Sequence, residues 1–218
     1  NRWFNSGISG DKFAQIFPKT EDPDKSILVN RAIQGQYNLG SSFKPFVAFA
    51  ALDSGQLPGG VAYKYLDQGS YTLTSIDEKT CQSVKCVFRN ALCGGGNNPC
   101  FYGMVTVEDA LAVSSDTFFY KIGEQIFAER GGQPILQDEV KKFGFGNKTG
   151  IDLPYESAGR VPDKDSKRQL VADGVLMEGE SPNYLVGDNV QLAVGQGLLA
   201  ATPIQVAQAY GAIANGGQ

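Results

Sequence analysis

The chain contains no histidine. That absence removes Ser-His-Asp and Cys-His triads, and every histidine-ligated metal site, in one step. A basic excess is missing too. With 19 Lys and Arg against 23 Asp and Glu, the net charge is -4, so nucleic acid is not expected as a partner. The longest apolar run, around Phe46 to Leu52, is too short to span a bilayer. No signal peptide is visible at Asn1 and no methionine starts the chain, which reads as a segment of a longer protein.

Cysteine is scarce and clustered, at Cys81, Cys86, Cys93 and Cys100. Four cysteines allow three pairings. Neighbours are the expected pairs, Cys81–Cys86 and Cys93–Cys100, stapling a Gly/Asn-rich loop with few contacts of its own. A four-thiolate zinc site is the alternative, but the spacings are not Cys-x-x-Cys. Two loop disulfides would imply an oxidising compartment outside the cytoplasm.

What is present is ordinary in bulk. The chain has 218 residues and is 42% hydrophobic and 19% charged, enough for one large domain with a sizeable core. The spacing predicts a short helix over 11–17, stopped by Pro18. A second helix starts near Ser41, with apolar residues at 43, 46, 47, 50 and 51 in the 3.6-residue period. Pro45 falls in its first turn, where amides lack helical partners, and Gly55 ends it. Residues 56 to 104 read as loop and short strand, with Tyr71-Thr72-Leu73-Thr74 the best strand candidate. Thr106 caps a helix interrupted at Ser114-Ser115-Asp116. Further helices follow over about 117–129 and 134–142. Residues 143 to 190 read mostly as loop. The last helix begins at Thr202-Pro203-Ile204-Gln205, with Gln205 placed for a capping box, and stops at Gly216. Few strands are readable, so the segment should be mainly helical.

Two short stretches carry candidate chemistry. Ser41-Ser42-Phe43-Lys44 puts a hydroxyl and an amine three residues apart, on one helix face. That is the arrangement a serine nucleophile with a lysine base needs. Ser-x-x-Lys alone is a weak signal, equally met by a cap serine and a solvated lysine. Its setting between Phe43, Pro45 and Phe46 favours burial, which depresses a lysine pKa. From a reference near 10.4, holding the amine neutral at pH 7 costs about 4.6 kcal/mol. Ser114-Ser115-Asp116 sits in a break between helices. Ser115 or Asp116 can cap the following helix, while Ser114 can relay a proton and Asp116 can join the same polar network.

Together these stretches resemble the transpeptidase domain of penicillin-binding proteins. Gly40-Ser41-Ser42-Phe43-Lys44-Pro45 and Ser114-Ser115-Asp116 match its first two motifs. Asn30-Arg31-Ala32-Ile33-Gln34-Gly35 is similar to the family's lead-in. Phe143-Gly144-Phe145-Gly146 and Thr149-Gly150-Ile151-Asp152-Leu153-Pro154 resemble a loop of class B members. Gly187-Asp188, Gly195-Gln196-Gly197 and Thr202-Pro203-Ile204-Gln205 follow in the right order. The resemblance covers nearly all of residues 1–218, which it marks as a partial transpeptidase domain with a cysteine-bearing loop at 81–100. Asp116 and Gly150-Ile151-Asp152-Leu153 point to the elongation type of class B enzyme. The implied fold is α/β (α+β), β-lactamase/transpeptidase-like, with helices packed around an antiparallel sheet that is incomplete in this segment.

The family's third motif is Lys-Thr/Ser-Gly on a strand. Lys148-Thr149-Gly150 spells it, but follows a helix-terminating Gly-Phe-Gly and leads into Ile-Asp-Leu-Pro. It is read as a decoy, with the true motif expected beyond Gln218 and the segment alone inactive.

The resemblance implies a D,D-transpeptidase that cross-links peptidoglycan stem peptides ending in D-Ala-D-Ala through an acyl-serine intermediate, and that β-lactams acylate and inhibit. Ser41 would be the nucleophile, Lys44 its base, Ser114 the proton relay to the leaving D-alanine and Asp116 a partner in the network. No metal or organic cofactor is implied. The implied partner is a membrane glycosyltransferase of the elongation machinery, and the implied location is the extracytoplasmic face of the bacterial cell membrane, held by an anchor outside this chain. A β-lactam sensor, a non-catalytic wall-synthesis scaffold and a serine β-lactamase are the alternatives.

Overall fold

A computed structural model of the chain describes residues 7–16, 29–81, 86–92, 98–176 and 179–217. Helix α1 is Gly10–Ile16. A single 3-10 turn, Gly40–Phe43, runs directly into α2, Lys44–Asp53. Pro45 lies in the first turn of α2, and Gly55 adopts a left-handed φ of 73° just past its end. The predicted apolar positions Phe43, Phe46, Val47, Ala50 and Ala51 are all buried.

Four short strands follow. β1, Tyr65–Asp67, pairs antiparallel with β4, Gly103–Val105, and β2, Ser70–Thr72, pairs antiparallel with β3, Val87–Arg89. The one-turn helix α3, Glu78–Cys81, lies between β2 and β3. β2 overlaps the predicted strand; β1, β3 and β4 were not predicted individually, because three residues are too few to show alternation. Cys81 and Cys86 form the expected disulfide, which leaves no four-thiolate zinc site. Cys100 is also disulfide-bonded, and Cys93 lies outside the described residues.

The remaining elements are helices: α4 Val107–Ala112, α5 Asp116–Glu129, α6 Ile135–Lys141, α7 Lys164–Ala172, α8 Val186–Leu192 and α9 Pro203–Ala214. α4 opens with the predicted Thr106 cap, which Asp109 completes as a capping box, and α9 opens with the predicted box of Thr202 with Gln205. α7 and α8 correct the reading of residues 143 to 190 as mostly loop. The first six residues of α7 are polar and its apolar ones, Leu170, Val171 and Ala172, are consecutive, so it offers little apolar periodicity.

α5 is the spine. It packs most extensively on α8, while α2 packs on α6 and α5. A side chain on Gly123 would place a Cβ 2.8 Å from Ala193 Cβ and 2.9 Å from the Asn189 carbonyl, so only glycine permits the α5–α8 approach. Asn189 Nδ2 then donates to the Gly123 carbonyl at 2.7 Å. The core joins Phe43 and Phe46 to Phe118, Phe119, Ile122 and Ile126 of α5 and to Leu136 and Val140 of α6. Phe46 lies 5.0 Å from the rings of Phe143 and Phe145 and 5.2 Å from Tyr210. Truncating such a ring costs about 3–5 kcal/mol. A buried glutamine ties the C-terminal helix to the preceding loop: Gln205 Nε2 donates to the carbonyls of Asn147 and Ala158 at 2.6 and 2.7 Å.

Candidate active site

The mouth of α2 is shaped by two glycines. Gly40 has φ 54° and Gly195 has φ 69°, both left-handed. The Gly40 amide donates to the Gly195 carbonyl at 2.8 Å. A Cβ on Gly195 would collide with the Gly40 carbonyl oxygen and lie 2.7 Å from Phe43 Cβ. Gly195-Gln196-Gly197 therefore backs the nucleophile turn with main chain. Ser42 Oγ donates to the Leu39 carbonyl at 2.7 Å, and Tyr210 Oη on α9 donates to the Ser42 carbonyl at 2.9 Å. Ser42 thus braces the turn, leaving Ser41 exposed at its edge and Phe43 in the core.

Lys44, next along, is 1% exposed. Its Nζ donates to Asp116 Oδ1 at 2.6 Å, to Ser114 Oγ at 3.0 Å and to the Ser114 carbonyl at 2.8 Å. It also lies 5.5 Å from the centre of the Phe119 ring, within cation–π range. Ser114 Oγ in turn donates to Ser41 Oγ at 2.7 Å. The structure therefore brings together Ser41, Lys44, Ser114 and Asp116, in that combination and from two distant parts of the chain. Ser114 stands between the other hydroxyl and the amine, so Ser41 and Lys44 communicate through it.

Burial lowers the Lys44 pKa from its usual 10.5, against the hydrogen bond and charge of Asp116, which favour the ammonium. A desolvated amine hydrogen-bonded to one serine hydroxyl, which in turn meets an exposed second one, is an arrangement that can activate a hydroxyl as a nucleophile.

The turn that presents Ser114 has an unusual backbone. Ser114 adopts φ 57°, the left-handed region that costs a non-glycine residue roughly 1–2 kcal/mol. Ser115 is the cap of α5, its Oγ accepting from the Phe118 amide at 3.2 Å. Asp116, the first residue of α5, is thereby free to face Lys44. Its carboxylate also suits the positive end of the helix dipole.

Behind the turn lies a group that sequence reasoning missed. Ser115 Oγ donates to Asp67 Oδ2 at 2.5 Å. Asn90 Nδ2 donates to both Asp67 oxygens, and Asn90 Oδ1 accepts from the Thr117 amide, each at 2.9 Å. Asp67, Asn90, Ser115 and Thr117 are all buried. Asp67 closes a three-residue strand and Asn90 follows another; neither carries a motif that could have flagged it.

Lys148-Thr149-Gly150 is not part of the cluster. It lies in irregular backbone, with Lys148 exposed. Thr149 donates its amide and hydroxyl to Glu156 Oε1 at 2.7 and 2.6 Å, and Gly150 donates to Glu156 Oε2 at 3.2 Å. The Thr149 hydroxyl and these amides hold the Glu156 carboxyl below the usual carboxylate range. The stretch closes a loop instead of lining a strand.

The family model described as the penicillin binding protein transpeptidase domain matches residues 9–218. The chain belongs to the penicillin-binding protein transpeptidase family. Among curated penicillin-binding protein relatives, the peptidoglycan D,D-transpeptidase MrdA of Acinetobacter baumannii is 31% identical over 98% of this chain. The match spans 27% of that relative's length. Among solved penicillin-binding proteins, Pseudomonas aeruginosa PBP2 in complex with WCK 5153 superposes with a TM-score of 0.72 at 31% identity, over 96% of this chain and 40% of that one. Helicobacter pylori PBP2 in complex with MreC superposes with a TM-score of 0.71 at 29% identity, over 96% of this chain and 32% of that one. The fold is thus the β-lactamase/transpeptidase fold anticipated from the motifs, and the described segment is mainly helical.

Proposed function

We propose that this chain supplies the nucleophile wall of a D,D-transpeptidase of the elongation type. One observation carries the reading: a fully buried lysine linked through a serine hydroxyl to an exposed serine, with an aspartate holding the lysine from the far side. Kinship with proteins named peptidoglycan D,D-transpeptidase supports the substrate class, stem peptides ending in D-Ala-D-Ala.

In this reading Ser41 Oγ attacks the carbonyl of the penultimate D-alanine. Its proton passes by way of Ser114 Oγ to the neutral amine of Lys44. The C–N bond to the terminal D-alanine then breaks, and the leaving amine takes a proton back through Ser114. An amine of a second stem peptide attacks the acyl-Ser41 ester, the C–O bond to Ser41 breaks, and the proton the amine sheds returns through Lys44 and Ser114 to Ser41 Oγ as the cross-linked product leaves. Asp116 keeps the amine oriented between these transfers. The Ser41 amide contributes half of the oxyanion hole. The group this mechanism still requires, a Lys-Thr/Ser-Gly strand facing Ser41, is not Lys148-Thr149-Gly150, whose Thr149 is engaged by Glu156.

The same reading makes β-lactams pseudo-substrates that remain on Ser41, and sets the site on the extracytoplasmic face of the cell membrane. The Cys81–Cys86 disulfide supports an oxidising compartment. No helix among the described residues is long and apolar enough to cross a membrane. The likeness to a PBP2 captured with MreC supports a partner of that kind, and the likeness to a peptidoglycan synthase complex that coordinates polymerization and crosslinking supports a membrane glycosyltransferase.

The test is acylation of the full-length protein by penicillin, read by intact mass. One stable adduct per chain is expected, and none in Ser41→Ala. An adduct that survives in Ser41→Ala removes the nucleophile assignment. Hydrolytic turnover of the drug would favour a β-lactamase, and adduct formation without release of D-alanine from a donor peptide would favour a sensor.

A further inference from the structure

Side chains alternate through the turn between α4 and α5. Ser114 and Asp116 face Lys44, whereas Ser115 and the Thr117 amide face away, toward Asp67 and Asn90. The rear side is a closed network. Asp67 accepts from the Gly69 amide at 2.8 Å, twice from Asn90 Nδ2 and once from Ser115 Oγ. Asn90 Nδ2 also donates to the Cys100 carbonyl at 2.9 Å. Asp67 is 0% exposed, Ser115 0% and Asn90 4%. Among the described residues no cation pairs with Asp67, so its charge is satisfied by hydrogen bonds alone.

A buried carboxylate is costly, and an apolar strand end would serve the core better. What this one holds is the residue next to a left-handed Ser114. Such a backbone persists only where its surroundings over-determine it. Two backbone bonds from α4, Ser114 N to Leu111 O at 3.2 Å and Ser115 N to Ala110 O at 2.9 Å, set the turn from one end. Asp67 and Asn90 set it from behind.

We propose that Asp67 and Asn90 are positioning residues for acyl transfer, clamping the Ser115–Thr117 segment so that Ser114 Oγ bridges Ser41 and Lys44. They touch no substrate. They act through Ser115 and the Thr117 amide, and the loop that carries Cys100 feeds the same clamp. This rests on the transpeptidase reading, in which the Ser114 bridge is the proton path.

The test compares Asp67→Asn, Asn90→Ala and Ser115→Ala with wild type in the full-length protein. Asp67→Asn sets an amide nitrogen against the Asn90 donor, Asn90→Ala breaks the clamp and spares the α5 cap, and Ser115→Ala removes the hydroxyl that serves both clamp and cap. Stopped-flow acylation by a fluorescent penicillin separates the pre-acylation dissociation constant from the first-order acylation rate at each reactive site. Loss of fold lowers the number of reactive sites; loss of positioning lowers the rate at each. We expect acylation at each reactive site to slow by about tenfold or more in Ser115→Ala and Asn90→Ala. The dissociation constant should stay within about twofold of wild type. Variants that acylate at the wild-type rate, or that lose only reactive sites, overturn the clamp. A wild-type protein that forms no Ser41 adduct overturns the transpeptidase reading itself, which keeps the two failures apart.

Discussion

Asp116 works against the desolvation of Lys44, and that opposition is measurable. Replacing it with asparagine keeps a carbonyl acceptor near Nζ and removes the anion. The ammonium loses its stabilising charge, so the Lys44 pKa falls further below 10.5. In the proposed mechanism acylation requires the neutral amine, so its rate should climb as pH rises through the Lys44 pKa. In Asp116→Asn the midpoint of that limb should move to lower pH, checked by adduct formation rates across a pH series. An upward or unchanged midpoint contradicts the role of Lys44 as base. Ser41, Lys44, Ser114 and Asp116 could be singled out because two short motifs stand in the order of a family resemblance, and the structure brings the four side chains together. The order of contact was not legible: the sequence suggests Ser41 beside Lys44, and only the folded turn shows Ser114 between them. Asp67 and Asn90 were invisible, since a buried polar partner is defined by what it meets in space.

Among the elements, α4 was readable from its Thr106 cap and α9 from a capping box written in four consecutive residues. β1 and β4 were not, since each acquires its strand geometry from a partner some forty residues away in sequence. α8 hides a functional packing role behind Gly187-Asp188-Asn189, a string that reads as loop. The turn at Gly195 that follows α8 offers a sharp test. Alanine there would need a left-handed φ and would push a methyl into the Gly40 carbonyl and Phe43. Gly195→Ala should destabilise the protein by roughly 2–4 kcal/mol. It should also reduce Ser41 acylation, because the colliding backbone belongs to the residue before the nucleophile. Urea denaturation and penicillin labelling check the two effects together; full stability with full labelling would mean that the turn yields without consequence.

At the scale of the molecule, two hydrophobic clusters among the described residues divide the labour. The large one carries α2, α5, α6 and the nucleophile turn. The smaller one gathers Leu73, Cys86, Phe88 and Val190, and the Cys81–Cys86 disulfide sits against it. Buried Glu124 of α5 joins this region to the spine, accepting from the Thr74 and Ser75 amides at 2.6 Å and from the Tyr71 hydroxyl. The same contact, with burial the larger cause, pushes the Tyr71 pKa well up. Because the disulfide closes a loop of sequence separation 5, its contribution is modest, about 2 kcal/mol by loop closure. Cys81→Ser with Cys86→Ser should therefore lower stability by about that amount. The same pair of changes should leave the acylation rate at Ser41 nearly intact, since neither residue reaches the clamp. Denaturation midpoints and adduct kinetics of the full-length double variant check this; a large rate loss would mean that the two clusters are coupled.

The contacts of Lys44 also fix a direction. An ammonium carries three N–H bonds, and here three acceptors stand around it, so the protonated site is a saturated shell with no vacancy. Removing one proton leaves a lone pair facing oxygen. Neither the Ser114 carbonyl nor the Asp116 carboxylate has a hydrogen to offer it. Ser114 Oγ alone among the three can turn from acceptor to donor, and once it does, its vacated side can take only the hydroxyl hydrogen of Ser41. Deprotonation thus reverses the polarity of the whole chain of hydroxyls, from pointing outward at Ser41 to drawing a proton inward, without moving a heavy atom.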